Sequence, residues 1–304
     1  VAQSLIVYSI FAALGPLATL MYNTMVGGDP VLISANGGVT FCMGTGPQAV
    51  GYLAPVPGLA VEIENQRTDS IRLASENAGK PLGPSEASAW WYRQGIAWTI
   101  EHPWKSTILL ARKLLLMPNL RSAGVDTSYS FEASCVPVLL AFRIPLAVVL
   151  VLGFSAVFSL YQVDRPLVLL LLTSIMTYLA VSVLFYVSER FRTAALPALA
   201  VLGAAWVRSV WRGEIRVRRY LPALTVTVIL VFAPAEWWLG MPRGTLDRTF
   251  HGLAWYNLGA VAERNQQLEK AEVYYRNALE INPALGIAHK NLGVLLAKEN
   301  RTGE

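Results

Sequence analysis

Leu184–Ala200, LFYVSERFRTAALPALA, is the stretch on which the reading of this chain turns. Long apolar runs flank Glu189, Arg190 and Arg192. Leu167–Val187 before them and Ala194–Val207 after them read as membrane spans, with Pro166 at the first helical turn of the former. The charged residues then form the tip of a helical hairpin. Arginines at such a tip either snorkel to lipid headgroups or hold a phosphate through charge-assisted, bidentate hydrogen bonds. The tip taken alone leaves both readings open.

Composition narrows the class. Of 304 residues, 54% are hydrophobic and 15% charged, whereas soluble domains carry roughly 25% charged residues. With a mean hydropathy of +0.43, this indicates a membrane protein. The net charge of +5 does not point to nucleic acid. Arg208, Arg212, Arg216, Arg218 and Arg219 lie between two apolar runs, as in a cytoplasmic loop. No zinc knuckle, Walker loop or basic stripe with interleaved aromatics accompanies them. Cys42 and Cys135 are the only cysteines, and without a CxxC pair or histidine cluster no metal site and no cofactor are expected. The chain starts at Val1 inside an apolar run, without a charged leader, and reads as a fragment of a longer protein.

Taken in order, residues 1–23 read as a first span, uncharged through Tyr22. The next run able to cross a bilayer starts near Pro137, so residues 24–136 are expected to form an external α/β loop domain. Within it, DPVLISANGGVTFCMGTGP (Asp29–Pro47) reads as two short strands joined at Asn36-Gly37-Gly38. Gly83-Pro84-Ser85-Glu86 starts a helix, with proline at N1 and a carboxylate at N3. Trp91 and Trp98 share one face of that helix. The face either packs in a soluble core or lies at the bilayer surface, where tryptophan is enriched. His102-Pro103 breaks the helix, and His102 is read as structural. Lys105–Met117 follows as an amphipathic helix with Leu109, Leu110, Leu114 and Met117 apolar and Arg112 and Lys113 polar.

Residues 137–239 are expected to hold four further spans. These are Pro137–Tyr161, with Arg143 snorkelling near its outer end, the two around the tip, and Leu221–Leu239, closed by Trp237 and Trp238 at an interface. The fold class is therefore a mainly helical, polytopic membrane bundle of about five spans. Arginine counts on the short loops place Arg165 and Arg208–Arg219 inside, and the large loop, the tip and the tail outside. Cys42 and Cys135 then share an oxidising side. A disulfide and two separately buried thiols both fit.

The tail, residues 240–304, has a different character. GLAWYNLGAVAERNQQLEKAEVYYRNALEINP (Gly252–Pro283) resembles a tetratricopeptide repeat, with Trp255, Leu258, Gly259, Ala271, Tyr275, Ala278 and Pro283 on the motif's pattern. Asn257-Leu258-Gly259 recurs as Asn291-Leu292-Gly293, a spacing of 34 residues that equals the repeat length. About one and a half repeats are present. Such repeats line a concave groove with their first helices, here with Tyr256, Asn257, Ala260 and Glu263, then Lys290, Asn291 and Val294. The asparagines suit an extended peptide backbone, so a protein or peptide partner is expected there, set against a tail that packs only on itself.

Two stretches together resemble one enzyme superfamily. Gly28–Gly38, GDPVLISANGG, resembles the external-loop motif of membrane glycosyltransferases related to dolichyl-phosphate-mannose protein mannosyltransferases. Ser188-Glu189-Arg190-Phe191-Arg192 with Pro197 resembles their later arginine-containing hairpin, and Leu82–Met117 fits the same pattern. The resemblance covers roughly Pro16 to Trp206. It implies transfer of a sugar from a polyprenyl-phosphate donor on the external face of a bacterial inner (plasma) membrane. Arg190 and Arg192 would then bind the donor phosphate, and Asp29, Ser34, Asn36, Gly37 and Gly38 would form the loop motif.

The resemblance also implies a catalytic acid in an external loop upstream of Val1, so the catalytic residue is unknown and the fragment alone is expected to be inactive. Asp29 and Glu86 have local structural explanations, a turn and a helix start, and neither is nominated as the base. Met21 stands where family members often carry arginine. The alternative is a non-catalytic membrane scaffold whose external repeats recruit partners, the arginines serving as lipid anchors.

Overall fold

The computed structural model describes residues 2–31, 34–53, 56–59, 63–120, 129–242 and 244–298. These divide into two compact units, residues 1–111 with 184–186 and residues 112–183 with 187–304. Among the described residues the regular elements are all helices. The second of the two strands expected in the loop domain is not formed, its residues Gly37–Thr45 being helical, while residues 32 and 33 of the first lie outside the described residues.

The first unit carries α1 (Ala2–Met25), α2 (Gly37–Thr45), α3 (Ile63–Ala78), α4 (Pro84–Glu101) and most of α5 (Pro103–Leu116). The segment read as a hairpin contributes α2. Its β-branched and aromatic residues favour a strand only where a sheet can receive it, and an isolated hairpin is marginal in water. The two internal glycines serve close packing instead. A Cβ on Gly38 would run into the Ser88 carbonyl of α4, and one on Gly44 into the Phe185 carbonyl. Val39, Cys42 and Met43 of α2 are buried with Ala74 of α3 and Ala87 and Trp91 of α4.

The sequence reading had no counterpart for α3, whose arginine 72 bridges Asp69 at 3.2 Å and Glu76 at 3.0 Å. Helix α4 starts as expected, with the Glu86 carboxylate accepting the Gly83 N–H at 2.9 Å. Trp91 is buried and donates to the Ser70 carbonyl at 3.0 Å, which makes its face a packed core. The exposed apolar row of α4 is Tyr92, Ile96 and Ile100 instead. His102 stacks on Trp98, in keeping with a structural role.

The second unit holds α6 (Tyr129–Cys135), α7 (Leu139–Leu160), α8 (Arg165–Leu184), α9 (Glu189–Arg192), α10 (Leu196–Trp211), α11 (Val217–Phe232) and α12 (Ala235–Leu239). The tail follows as α13 (Thr245–Arg264), α14 (Leu268–Ile281) and α15 (Gly286–Lys298). Among the described residues two helices, α7 and α8, are long and apolar enough to cross a membrane, where five were expected. Helices α10 and α11 have 16 residues each, about 24 Å of rise against a hydrocarbon core of about 30 Å. Gly213, at positive φ, follows the end of α10, and Pro234 interrupts the expected span Leu221–Leu239 between α11 and α12.

Helix α10 packs on α7 at a close approach, where a Cβ on Gly153 would sit 2.6 Å from the Leu199 carbonyl oxygen. Cys42 and Cys135 are free thiols, the first buried and the second exposed, so neither the disulfide nor a buried Cys135 is found. Burial pushes the Cys42 thiol up to about 11.

Candidate functional site

The charged tip is a short helix rather than an open loop. Ser188 caps α9 by accepting the Arg190 N–H on its hydroxyl at 3.3 Å. Because side chains along one helical turn point different ways, the cap separates the two arginines. Arg190 is exposed, while Arg192 is 3% exposed. The Nε and Nη2 of Arg192 are buried with no hydrogen-bond partner. Its charge falls on the Tyr178 hydroxyl of α8, which Ser182 also faces and which donates to the Met117 carbonyl at 3.1 Å. Glu189 at the same tip is half-buried.

A second buried cation joins the same end of α8. Lys113 is 2% exposed and donates from Nζ to the Val183 carbonyl at 2.7 Å, one residue beyond Ser182. Burial pulls its ammonium down to about 8. The sequence reading placed Lys113 on the polar face of its helix, and the structure corrects this. The signal was in the spacing, since Lys113 lies four residues from both Leu109 and Met117, which are themselves buried. Leu110 and Leu114, read with Leu109 and Met117 as the apolar side of that helix, are exposed.

An arginine cannot shed its proton to escape burial. Each unmet buried polar group costs about 1–3 kcal/mol, and more when charged. Two guanidinium nitrogens without partners and a buried ammonium thus lie toward the same end of α8.

The loop motif makes a different site in the first unit. Asp29, Ser34 and Asn36 line a cavity of about 590 Å³ together with Arg67 and Glu86. Much of their hydrogen bonding is local. The Asp29 carboxylate accepts the Ser85 N–H at 2.8 Å in the first turn of α4, and Ser34 accepts the Asn36 N–H at 3.2 Å. Gly37 and Gly38 begin α2, and the Gly38 N–H donates to the Ser88 hydroxyl at 3.0 Å. These glycines bring α2 against α4 and do not line the cavity. Residues 32 and 33 of the motif lie outside the described residues.

In the tail, Tyr256 is 1% exposed and stacks on Tyr275, so it belongs to the interior and not to an open groove. Asn291 donates to the hydroxyls of Tyr256 at 3.3 Å and Tyr275 at 3.4 Å. Glu263 accepts from the Tyr275 hydroxyl at 2.9 Å and from Lys298 at 3.2 Å. Lys290 is exposed and Asn257 half-buried. Three of the residues expected in the groove, Tyr256, Glu263 and Asn291, therefore belong to one polar network around two stacked tyrosines.

No curated protein and no solved structure matches the chain. Residues 252–285 match the tetratricopeptide repeat family, and the tail of this chain carries such a repeat.

Proposed function

We propose that this chain is the donor-phosphate-holding part of a membrane glycosyltransferase, which moves a sugar from a polyprenyl-phosphate to an acceptor on the external membrane face. One observation carries the reading: Arg192 is buried with its Nε and Nη2 unpartnered. In this role the guanidinium fork takes two phosphate oxygens, and Lys113 adds a compact charge at the same helix end. Both cations stabilise the charge that builds on the phosphate as the glycosidic bond breaks. Arg190, exposed one half-turn away, attracts the donor without orienting it. Asp29 is committed to the first turn of α4, and neither it nor Glu86 is assigned as the base for the acceptor hydroxyl.

Turnover of a polyprenyl-linked sugar by the full-length protein in native membranes tests this. Arg192→Lys keeps the charge and loses the fork, and is expected to lower turnover roughly 10²-fold, as loss of a transition-state donor does. Arg190→Ala is expected to lower it less than tenfold. Unchanged turnover in both variants would sink the reading.

A second reading is favoured by the repeat itself. Tetratricopeptide repeats commonly mediate protein interaction, and in a non-catalytic scaffold the tail would recruit partners through Asn257 and Lys290 while the arginines anchor lipid. Loss of co-purifying partners in Asn257→Ala with Lys290→Ala, alongside turnover in the membranes that is the same with and without the protein, selects the scaffold. Protease added to intact spheroplasts should remove the tail in either case, because both readings place it outside.

A further inference from the structure

An apolar groove in the second unit runs between α7 and α11. Its cavity of about 500 Å³ is lined by Ile144, Ala147, Val148, Val151, Val228 and Phe232, with Arg143 the one charged side chain in its wall. The α7 residues lie at spacings of three and four, so they form one continuous stripe. From Arg143 to Val151 the stripe descends about 12 Å at 1.5 Å per residue. Arg143 stands at the N-terminal end of α7 and Phe232 closes α11, so cation and aromatic ring mark the same mouth of the groove. The Leu120 N–H, bonded to the Val231 carbonyl at 2.8 Å, fixes the wall there. Trp237, just beyond α11, is exposed at this end, as a residue at a headgroup level is.

Two properties decide the occupant. The lining is apolar and open, with Ile144 68% and Phe232 57% exposed, which suits a hydrocarbon chain and no polar ligand. Arg143 stacks over the Tyr129 ring, 4.8 Å from its centroid, and among the described residues it has no ion-pair partner. The stacking holds the guanidinium at the mouth while leaving its N–H fork available. One uncompensated cation at the end of an apolar channel is complementary to one anionic headgroup on a chain.

We infer that the α7–α11 groove binds an anionic phospholipid of the surrounding bilayer, with its phosphate on Arg143 and one acyl chain along α7. The site is separate from the Arg192 site and does not depend on the glycosyltransferase reading. It predicts a retained lipid whose loss leaves the Arg192 chemistry in place.

The test uses the full chain purified in detergent, with added dioleoyl phosphatidylglycerol, dioleoyl phosphatidylcholine or undecaprenyl phosphate, and bound lipid read by native mass spectrometry. Phosphatidylglycerol is expected to bind at least tenfold more tightly than phosphatidylcholine. Arg143→Gln is expected to erase that preference, and Val148→Trp, which fills the groove while leaving Arg143, to lower binding of both. Circular dichroism on each variant verifies folding, and Phe232→Ala supplies a second groove variant if Val148→Trp does not fold. Equal binding of the two phospholipids, or a preference that survives Arg143→Gln, overturns the assignment. Arg143-dependent binding of undecaprenyl phosphate that exceeds that of phosphatidylglycerol also overturns it, in favour of a polyprenyl lipid.

Discussion

The helices α7 and α8 and the tail helices α13 to α15 differ in what they turn outward and in how far small residues fill their contacts. Where α7 meets its neighbours it buries mostly small residues, Ala147, Gly153, Ser155, Ala156 and Ser159, beside Leu150 and Leu160, and it turns Leu140, Phe142, Ile144 and Phe158 outward. Helix α8 likewise exposes Leu169, Leu170 and Met176. The tail buries its rings, Tyr256 and Tyr275, against Ala271, Ala278 and Ala288, and exposes Arg264, Glu269, Lys270 and Arg276. Water rewards the tail's arrangement, because burying an aromatic side chain removes a large apolar area from it. Lipid tails are as apolar as leucine and give no such reward, so helices there meet through small residues that permit close backbone contact. The same helical geometry thus carries two patterns of burial in one chain.

A charge placed on each exposed face tests that contrast most sharply. Leu170 is 67% exposed on α8 and Val273 55% exposed on α14. If lipid surrounds α8, Leu170→Lys costs about 3 kcal/mol in membrane integration. Val273→Lys, on a face already rich in charge, stays within about 0.5 kcal/mol. Carbonate extraction of membranes gives the integrated fraction, and melting of the protein gives tail stability. Two silent substitutions would mean that the outward leucines of α8 do not face lipid.

The second test concerns a charge that the apolar unit itself buries. Lys113 titrates near 8 in the folded chain against an ordinary 10.5. Below pH 8 the ammonium is charged whether folded or unfolded, and the burial penalty is fully present. Between pH 8 and 10.5 the folded chain has lost the proton that the unfolded chain still holds, so stability rises with pH across that window. The shift corresponds to roughly 3 kcal/mol, and Lys113→Met recovers less than this at pH 7 because the bond to the Val183 carbonyl goes too. The rise between pH 8 and 10.5 should flatten in the variant. A retained rise would place the titrating group elsewhere.

Periodicity made the tail and the long apolar helices legible, because both repeat at the helical spacing over many residues. The α4 start was equally readable, since Gly83-Pro84-Ser85-Glu86 satisfies its own first turn. What failed needed contacts distant in sequence. Val39, Thr40 and Phe41 look like a strand until Ser88 and Phe185 are known to touch Gly38 and Gly44, and no local pattern reveals them. Arg192 was singled out together with Arg190 at the tip, whereas their separation depends on the Ser188 cap and on α8. Lys113 was misplaced because its charge outweighed its position, although its spacing from Leu109 and Met117 already put it on the buried stripe. In the tail, the repeat pattern located Tyr256 without saying which way its ring turned. That was settled by Tyr275, a 19-residue neighbour in sequence and a stacking partner in space.

The smallest effect separates two members of the tail's polar network. Glu263 accepts from the Tyr275 hydroxyl and from Lys298, yet the two bonds sit in different surroundings. Tyr275 is buried, so its hydroxyl has little access to water if Glu263 is removed. Glu263→Ala should therefore lower tail stability by about 1–2 kcal/mol, the cost of leaving a buried donor without its acceptor. Lys298 keeps 58% of its side chain exposed and lies at the end of α15. An ion pair of that kind contributes about 0–1 kcal/mol and is screened by salt, so Lys298→Ala should change stability by no more than about 0.5 kcal/mol, and less at high ionic strength. Proteolytic susceptibility of the tail, followed with denaturant at two salt concentrations, resolves the pair. A Lys298→Ala effect as large as that of Glu263→Ala would mean that the tail is held by surface charge, and not by the tyrosine stack that the water-facing rule requires.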